Sequence, residues 1–204
     1  MSAKLKVGVL ISGRGSNLKA LIDACAAKDF PAEIVLVISN VADAGGLNHA
    51  KAAGIAAAIL PHKVYSSRDA FDAVMDRHLR DAGVEFICLA GFMRILSDTF
   101  VRKWEGKMIN IHPSLLPAYK GTHVHERVLA AHEKKSGCTV HYVVPELDSG
   151  PTILQAEVPV LAGDTPEALA ARVLAAEHKT YSAALRMVAE GRVRLEGGRA
   201  VFLQ

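Results

Sequence analysis

Residues 5–17 of the chain read LKVGVLISGRGSN, an aliphatic and β-branched run that breaks at Gly13. The apolar run predicts a buried strand, and the helical spacing of apolar residues over 17–27 predicts a helix directly after it. A glycine-containing turn therefore joins a strand to a helix. This unit is typical of the start of an α/β fold.

The same alternation of strand and helix continues to residue 90. Further buried strands are predicted at 33–40 (EIVLVISN), 56–60 and 85–90 (EFICLA), with helices at 45–53 and 68–82, the second ended by Gly83. Apolar strands separated by helices are typical of a parallel sheet covered on both faces. We therefore predict an α/β fold with an open, doubly wound, mostly parallel sheet and helices on both faces.

Beyond residue 100 the pattern changes. Strands are predicted at 107–112, 137–144 and 152–160, the last two joined by the polar segment PELDSG as a hairpin or a crossed pair. Thr165, Pro166 and Glu167 have the residue types that begin a helix, and Gly191 ends it. Residues 193–203, interrupted by two glycines, are predicted to form a small β-hairpin.

Composition restricts the class of protein. The chain has 204 residues, half of them hydrophobic, and a formal net charge of +3, which suits one globular domain. It has no block of like charge and no apolar run of ~20 residues, so neither nucleic acid nor a membrane is an expected partner. Three well-separated cysteines and the absence of a signal-peptide pattern predict a cytoplasmic protein. His123, His125 and His132 lack a second ligand pair, so no metal is expected.

The loop 12–18 (SGRGSNL) is a candidate phosphate site. Free main-chain amides at a helix N-terminus, together with the helix dipole, bind anions. A dinucleotide fingerprint would need Gly or Ala at Leu18 and an acid after the second strand, and a P-loop would need Gly-Lys-Ser/Thr. From the loop alone, a phosphate site and an ordinary capped turn are equally supported.

Residues 110–117 (NIHPSLLP) contain the strongest signal. Because side chains alternate along a strand, Asn110 and His112 face the same side, and Pro113 ends the strand. An amide and an imidazole therefore lie at a strand's carboxyl end, where this fold binds its ligands. Asp148 lies in a separate polar turn, 146–151 (ELDSGP).

Taken alone, an asparagine, histidine or aspartate at such a position more often has a structural role than a catalytic one. Together, the three residues suit acyl transfer without a covalent nucleophile. Attack of an amine on a formyl group creates an oxyanion, which the amide of Asn110 and a protonated His112 would stabilise. Asp148 beside His112 would favour the protonated imidazole and help to remove the amine proton. A serine triad has no support, because no G-x-S-x-G motif is present.

Four segments, 11–17 (ISGRGSN), 89–96 (LAGFMRIL), 110–117 and 146–151, together closely resemble the phosphoribosylglycinamide formyltransferase family of folate-dependent enzymes, in matching order and spacing to about residue 190. The resemblance implies 10-formyltetrahydrofolate as formyl-donor co-substrate, glycinamide ribonucleotide as acceptor, and a place in purine biosynthesis. The sequence departs from many relatives at 118–123 (AYKGTH), on both sides of the glycine, and at Ser182, where a proline is frequent.

The resemblance also implies a role for individual residues. Catalysis would fall to Asn110, His112 and Asp148, substrate phosphate binding to Gly15, Ser16 and Asn17, and folate binding to Arg68, Met93, Arg94, Ile95 and Leu96. We interpret 1–204 as a single formyltransferase domain with a phosphate-binding half (1–100), a catalytic and folate-binding half (101–190) and a C-terminal hairpin (191–204). The implied partners are small molecules, and both a monomer and a homodimer remain open.

Glu177 falls within the apolar stripe of the last long helix. Carboxylates are seldom buried unpaired, so Glu177 has either a buried Arg or Lys partner or a ligand. The resemblance supports hydrogen bonds to ribose hydroxyls. Met93, Ile95 and Leu96 are equally compatible with ordinary core, and Arg68 with a surface ion pair.

Other functions share part of this pattern. A methionyl-tRNA formyltransferase is expected to have a further RNA-binding domain, and a formyltetrahydrofolate hydrolase a further regulatory domain, whereas this sequence runs from a first strand at Leu5 to Gln204. A sugar-nucleotide formyltransferase should lack the loop 13–17. A non-catalytic phosphate-binding module would keep its ligand affinity after replacement of Asn110 and His112, and Leu18 argues against an oxidoreductase.

Overall fold

The computed structural model describes residues 3–203, so Met1, Ser2 and Gln204 of the predicted 1–204 domain lie outside it. Seven strands form the main sheet in the order β3-β2-β1-β4-β5-β6-β7. The five strands from β3 to β5 in this order are parallel to one another, and β6 is antiparallel to both β5 and β7. The strands are β1 (Leu5–Ile11), β2 (Ala32–Ser39), β3 (Ala57–Ile59), β4 (Phe86–Leu89), β5 (Met108–His112), β6 (Lys135–Tyr142) and β7 (Thr152–Pro159). The predicted mostly parallel sheet is confirmed, and it spans both predicted halves of the chain.

Six α-helices connect the strands within the described residues. They are α1 (Ser16–Cys25), α2 (Gly46–Ala52), α3 (Arg68–Asp81), α4 (Asp98–Lys103), α5 (Val124–Ala130) and α6 (Pro166–Ala189), and a 3-10 helix covers His62–Val64. The sequence prediction missed α4 and α5. Both are as short as α2 or shorter, so apolar periodicity has few turns in which to become visible.

The central strands β1, β4 and β5 bury both of their faces, as the doubly wound prediction requires, whereas the edge strands β3 and β7 are partly exposed. On one face, alternate residues of β1 such as Val9 pack with α1 and α6; on the other, Leu10 packs with α3 and α4. Gly8 permits the close approach of α3, because a Cβ at that position would lie 2.7 Å from Leu79 Cδ2. The carboxyl ends of β1, β4 and β5 therefore lie side by side at one edge of the sheet.

The start of α6 follows the predicted capping pattern. The Thr165 side chain accepts a hydrogen bond from Ala168 N, and Pro166 occupies the first turn. Farther along, the hydroxyl of Tyr181 donates to the main-chain oxygens of Leu89 (2.7 Å) and Ile109 (3.2 Å). This contact fixes α6 across β4 and β5, directly beneath the edge where the candidate residues lie.

The two predicted hairpins are also present. β6 and β7 pair along their length, which resolves the alternatives of a hairpin and a crossed pair in favour of the hairpin. β8 (Val193–Glu196) and β9 (Arg199–Phe202) form a separate two-stranded sheet. Gly197 and Gly198 between them both have positive φ, which the tight turn requires.

Candidate active site

The end of β5 brings the three candidate catalytic residues together. His112 is the last residue of β5, and Asn110 precedes it on the same face of the strand. Asp148 approaches from the turn between β6 and β7, and its Oδ2 lies 3.5 Å from His112 Nδ1. All three side chains are buried or half-buried. Residues 38 positions apart in the sequence thus form one polar cluster beside an open edge of the sheet.

The turn that carries Asp148 is held in place by main-chain contacts. Asp148 has φ of 50°, in the left-handed region, and its Oδ2 accepts a hydrogen bond from Gly121 N at 2.8 Å. Gly150 passes so close to Tyr142 O that any side chain there would collide with it. The carboxylate therefore has little freedom to turn away from His112.

Both ring nitrogens of His112 face oxygen atoms. Nε2 lies 2.9 Å from the main-chain oxygen of Tyr119, and Nδ1 faces the carboxylate of Asp148. Carbonyl and carboxylate oxygens can only accept hydrogen bonds. When the His112 ring has a proton on each nitrogen, both of its N–H groups therefore have an acceptor. Tyr119 and Gly121 belong to the segment in which the sequence departs from many relatives. Since both contact the cluster through main-chain atoms, those departures leave these contacts intact.

Asn110 has a neighbour that the sequence reasoning missed. Its Nδ2 lies 3.5 Å from Nε2 of His141, which stands directly opposite it on β6. Burial lowers the pKa of His141, against the opposing influence of the Tyr142 carbonyl and the Asp148 carboxylate. His141 could have been identified from its register opposite Asn110. That register is known only once β5 and β6 are known to pair.

A cavity of about 100 Å³ opens beside this cluster. Its lining is Leu89, Phe92, Arg94, Ile95, Leu96, Val101, Asn110, His141, Val143, Val144, Pro145, Glu146, Leu147 and Asp148. Of the predicted folate-binding residues, Arg94, Ile95 and Leu96 are therefore brought to the cluster. Met93, which is 74% exposed, and Arg68, at the exposed start of α3, lie outside the lining.

The cavity lining includes one positively charged side chain, that of Arg94. The guanidinium of Arg94 lies over the ring of Phe71, 4.9 Å from its centre. Burial raises the pKa of Asp72, while its hydrogen bonds to Ser97 and the charges of Arg94 and Arg68 act in the opposite direction. Arg68 thus lies within electrostatic range of the same carboxylate as Arg94, although it does not line the cavity.

The glycine loop forms the N-terminus of α1, as predicted. Gly15 adopts a left-handed conformation (φ 75°, ψ 30°) that a residue with a Cβ disfavours, and α1 begins at Ser16. A Cβ at Gly15 would also lie 2.5 Å from Gly46 Cα, so α2 packs directly against the loop. Among the described residues, no side chain caps the first amides of α1. These N–H groups and the helix dipole form an anion-binding end.

Asn17 and Glu177 meet, although they are 160 residues apart. Asn17 Nδ2 donates to Glu177 Oε2 at 2.8 Å, and both side chains are buried. Burial raises the pKa of Glu177, and the bond from Asn17 lowers it in part. The alternative of a buried Arg or Lys partner is therefore wrong: the partner is a neutral amide. The contact joins the glycine loop to α6.

Ser12 connects the glycine loop to the cavity. Its hydroxyl donates to Asn40 Oδ1 (2.5 Å) and accepts from the main-chain nitrogen of Met93 (2.8 Å). Met93 thereby contributes a main-chain contact to this edge, although its side chain points away from the lining. Sequence reasoning assigned no role to Ser12.

Two features are absent from residues 3–203. No group of three or more His, Cys, Asp or Glu side chains within that range is placed to hold a metal ion. Over the same range, no helix combines the length and apolar character needed to cross a membrane.

Comparison with known proteins agrees with this geometry. A family model described as formyl transferase matches residues 5–185. Phosphoribosylglycinamide formyltransferase of Escherichia coli is 44% identical over 196 residues, which is 96% of this chain and 92% of that protein. The crystal structure of glycinamide ribonucleotide transformylase 1 from Symbiobacterium toebii superposes with a TM-score of 0.96 at 45% identity, covering 100% of this chain and 96% of that one.

Longer relatives contain the same unit. The trifunctional purine biosynthetic protein adenosine-3 of Bos taurus is 54% identical over 201 residues, which is 98% of this chain. The chain spans only 20% of the length of that relative.

Proposed function

Because the chain belongs to the formyl transferase family, we propose that it transfers the formyl group of 10-formyltetrahydrofolate to the amine of 5-phosphoribosylglycinamide. The products are formylglycinamide ribonucleotide and tetrahydrofolate, in a step of de novo purine biosynthesis. The observation that carries the proposal is the cluster of Asn110, His112 and Asp148 beside a cavity at the sheet's carboxyl edge.

The acceptor is recognised by its phosphate and its ribose. Gly15 lets the backbone approach the phosphate, and the uncapped amides of Ser16 and Asn17 supply donors with the α1 dipole behind them. Glu177, held by Asn17, offers a carboxylate oxygen to the ribose hydroxyls. A phosphate and a ribose therefore bind in adjacent positions, because one hydrogen bond joins their proposed binding groups.

The formyl donor is recognised by the cavity. Ile95 and Leu96 form apolar walls for a flat pterin ring. The remainder of the donor extends past the exposed side chain of Met93. Arg94 and Arg68 supply positive charge for its glutamate carboxylates.

The chemistry is direct attack. The acceptor nitrogen bonds to the formyl carbon, giving a tetrahedral oxyanion that the amide of Asn110 stabilises by a hydrogen bond and the protonated ring of His112 by its positive charge. Asp148 stabilises the protonated ring and assists removal of the amine proton. The bond to the folate N10 then breaks, and N10 gains the proton that the amine has lost. The proposed steps use protein groups alone, without a metal.

The wider setting follows from the same proposal. The reaction takes place in the cytoplasm, between the enzyme and two small molecules, and needs neither nucleic acid nor a membrane. A formal net charge of +3 suits two anionic substrates. The residues assigned to the site all come from one chain, and both a monomer and a homodimer remain open.

Mixing the protein with glycinamide ribonucleotide and 10-formyltetrahydrofolate tests the proposal, with folate deformylation followed by absorbance. Turnover should require both substrates and should be lost in His112→Ala. His132→Ala replaces an exposed histidine away from the cluster and should keep full activity. Absence of turnover in the wild type, or full turnover in His112→Ala, would reject the assignment.

A further inference from the structure

His141 occupies a position that nothing in the proposed mechanism uses. It is 3% exposed and lies directly opposite Asn110 across β5 and β6. The pairing of β6 with β7 shifts register between Val140 and His141. Such bulges re-aim side chains and are frequent next to active sites. The sheet is thus irregular at the residue that faces Asn110.

The hydrogen bonds of His141 determine which of its nitrogens carries the proton. Nδ1 lies 2.9 Å from Tyr142 O, and a carbonyl oxygen only accepts, so Nδ1 must donate. In the neutral ring, Nε2 then has only a lone pair. Burial lowers the pKa of His141, the Tyr142 carbonyl and the Asp148 carboxylate act in the opposite direction, and the charge of His112 lowers the pKa further.

This arrangement orients the amide of Asn110. The bare Nε2 lies 3.5 Å from Asn110 Nδ2 and accepts only an N–H, so the NH₂ group turns toward His141 and the oxygen turns away. An amide nitrogen has two hydrogens. One hydrogen is donated to His141 Nε2, and the other can be donated to a group in the cavity that Asn110 lines.

We propose that His141 is a positioning residue that sets the orientation of the Asn110 carboxamide, so that its NH₂ rather than its oxygen faces the developing oxyanion. The proposal rests on the proposed formyl transfer. An amide turned the other way would present an acceptor to a negative charge. The loss of one oxyanion donor typically costs ~10²–10³ in rate.

Two substitutions separate this role from a structural one. In His141→Asn the side-chain NH₂ takes the place of Nδ1 and keeps the bond to Tyr142 O, but nothing accepts from Asn110. In His141→Gln the side-chain oxygen reaches the place of Nε2 and restores the acceptor. We expect kcat to fall ~10²-fold in His141→Asn with both KM values little changed, and to stay within ~10-fold of the wild type in His141→Gln.

The opposite order, with His141→Asn active and His141→Gln impaired, would overturn the proposal, since it would mean that only the bond to Tyr142 matters. Equal losses in the two variants would also overturn it. Wild-type turnover in the same assay tests formyl transfer itself, and its absence would reject both proposals together. An active wild type with the wrong order among variants rejects only the role of His141.

A double-mutant cycle gives an answer that does not depend on how His141→Gln folds. If His141 acts through Asn110, adding His141→Asn to Asn110→Ala should lower kcat no further. A full additional ~10²-fold loss in the double variant would show independent action and contradict the proposal. Thermal unfolding of each variant confirms that the folded protein is being compared.

Discussion

Replacing Asp148 by Asn removes a charge from the catalytic cluster and leaves its shape. The side chains have the same size, and the asparagine oxygen can still accept from Gly121 N, which now bonds to Oδ2 of Asp148. The carboxylate opposite His112 Nδ1 is lost. The protonated ring, whose positive charge stabilises the oxyanion, then has no counter-charge.

The size of the effect follows from the 3.5 Å between Asp148 Oδ2 and His112 Nδ1. Two unit charges at ~4 Å interact by ~4 kcal/mol at an effective dielectric constant of ~20. Since ~1.4 kcal/mol corresponds to a tenfold change in rate, the loss in kcat has an upper limit of ~10³. We expect a decrease of ~10²–10³ in kcat, with both KM values within a few-fold of the wild type.

Steady-state folate deformylation measures this loss, and Asp164→Asn is the matched control. The side chain of Asp164 is also buried and also forms an ion pair, with Arg172 at 2.7 Å. Asp164 lies before α6, away from the cluster. That variant should lower thermal stability and leave kcat unchanged. A kcat for Asp148→Asn within tenfold of the wild type, or an equal loss in Asp164→Asn, would refute the reasoning.

Three further substitutions give separate outcomes. Glu177→Gln should raise the KM for the ribonucleotide by ~10-fold or more, because a charged hydrogen bond is worth ~1.5–3 kcal/mol, and an unchanged KM would exclude ribose binding by Glu177. Burial raises the pKa of Glu177 above its ordinary value of 4.5, so wild-type stability should fall as pH rises through that raised value, and denaturant titrations should show no such fall in the Gln variant. Thr165→Ala removes the acceptor for Ala168 N and should lower the free energy of unfolding by ~1 kcal/mol at constant kcat; an unchanged unfolding midpoint would argue against the cap. Gly137→Ala should lower the free energy of unfolding by more, ~1–3 kcal/mol, since its Cβ would collide with Ala156 O. An unfolding midpoint equal to that of the wild type would contradict that close approach.

The sheet could be predicted because strands that are buried on both faces have nearly continuous apolar sequences. The apolar run of β1 and the helical spacing of α3 and α6 each repeat over enough residues to be read from the sequence. The six-residue α4 has no such repeat. Two contacts hold its start: the Ser97 side chain accepts from Phe100 N, and Ser97 N donates to the carboxylate of Asp72 on α3. The second contact depends on tertiary structure and cannot be read from the sequence around Ser97.

The site was predictable only in part, for a related reason. Asn110 and His112 share one strand, so their common face follows from alternation alone. The pairing of Asn110 with His141 and that of Asn17 with Glu177 depend on strand register and helix docking across long stretches of chain. The exposure of Met93 is likewise set by the loop in which it lies, not by its apolar side chain.

Following the formyl carbon itself tests the central claim most directly. The protein is incubated with glycinamide ribonucleotide and 10-formyltetrahydrofolate labelled with ¹³C in the formyl group, and the label is located by NMR. Formyl transfer predicts that the label moves into the amide of the ribonucleotide, with one tetrahydrofolate formed per label moved and none without the acceptor. Label released as free formate, or retained on the folate, would contradict the account.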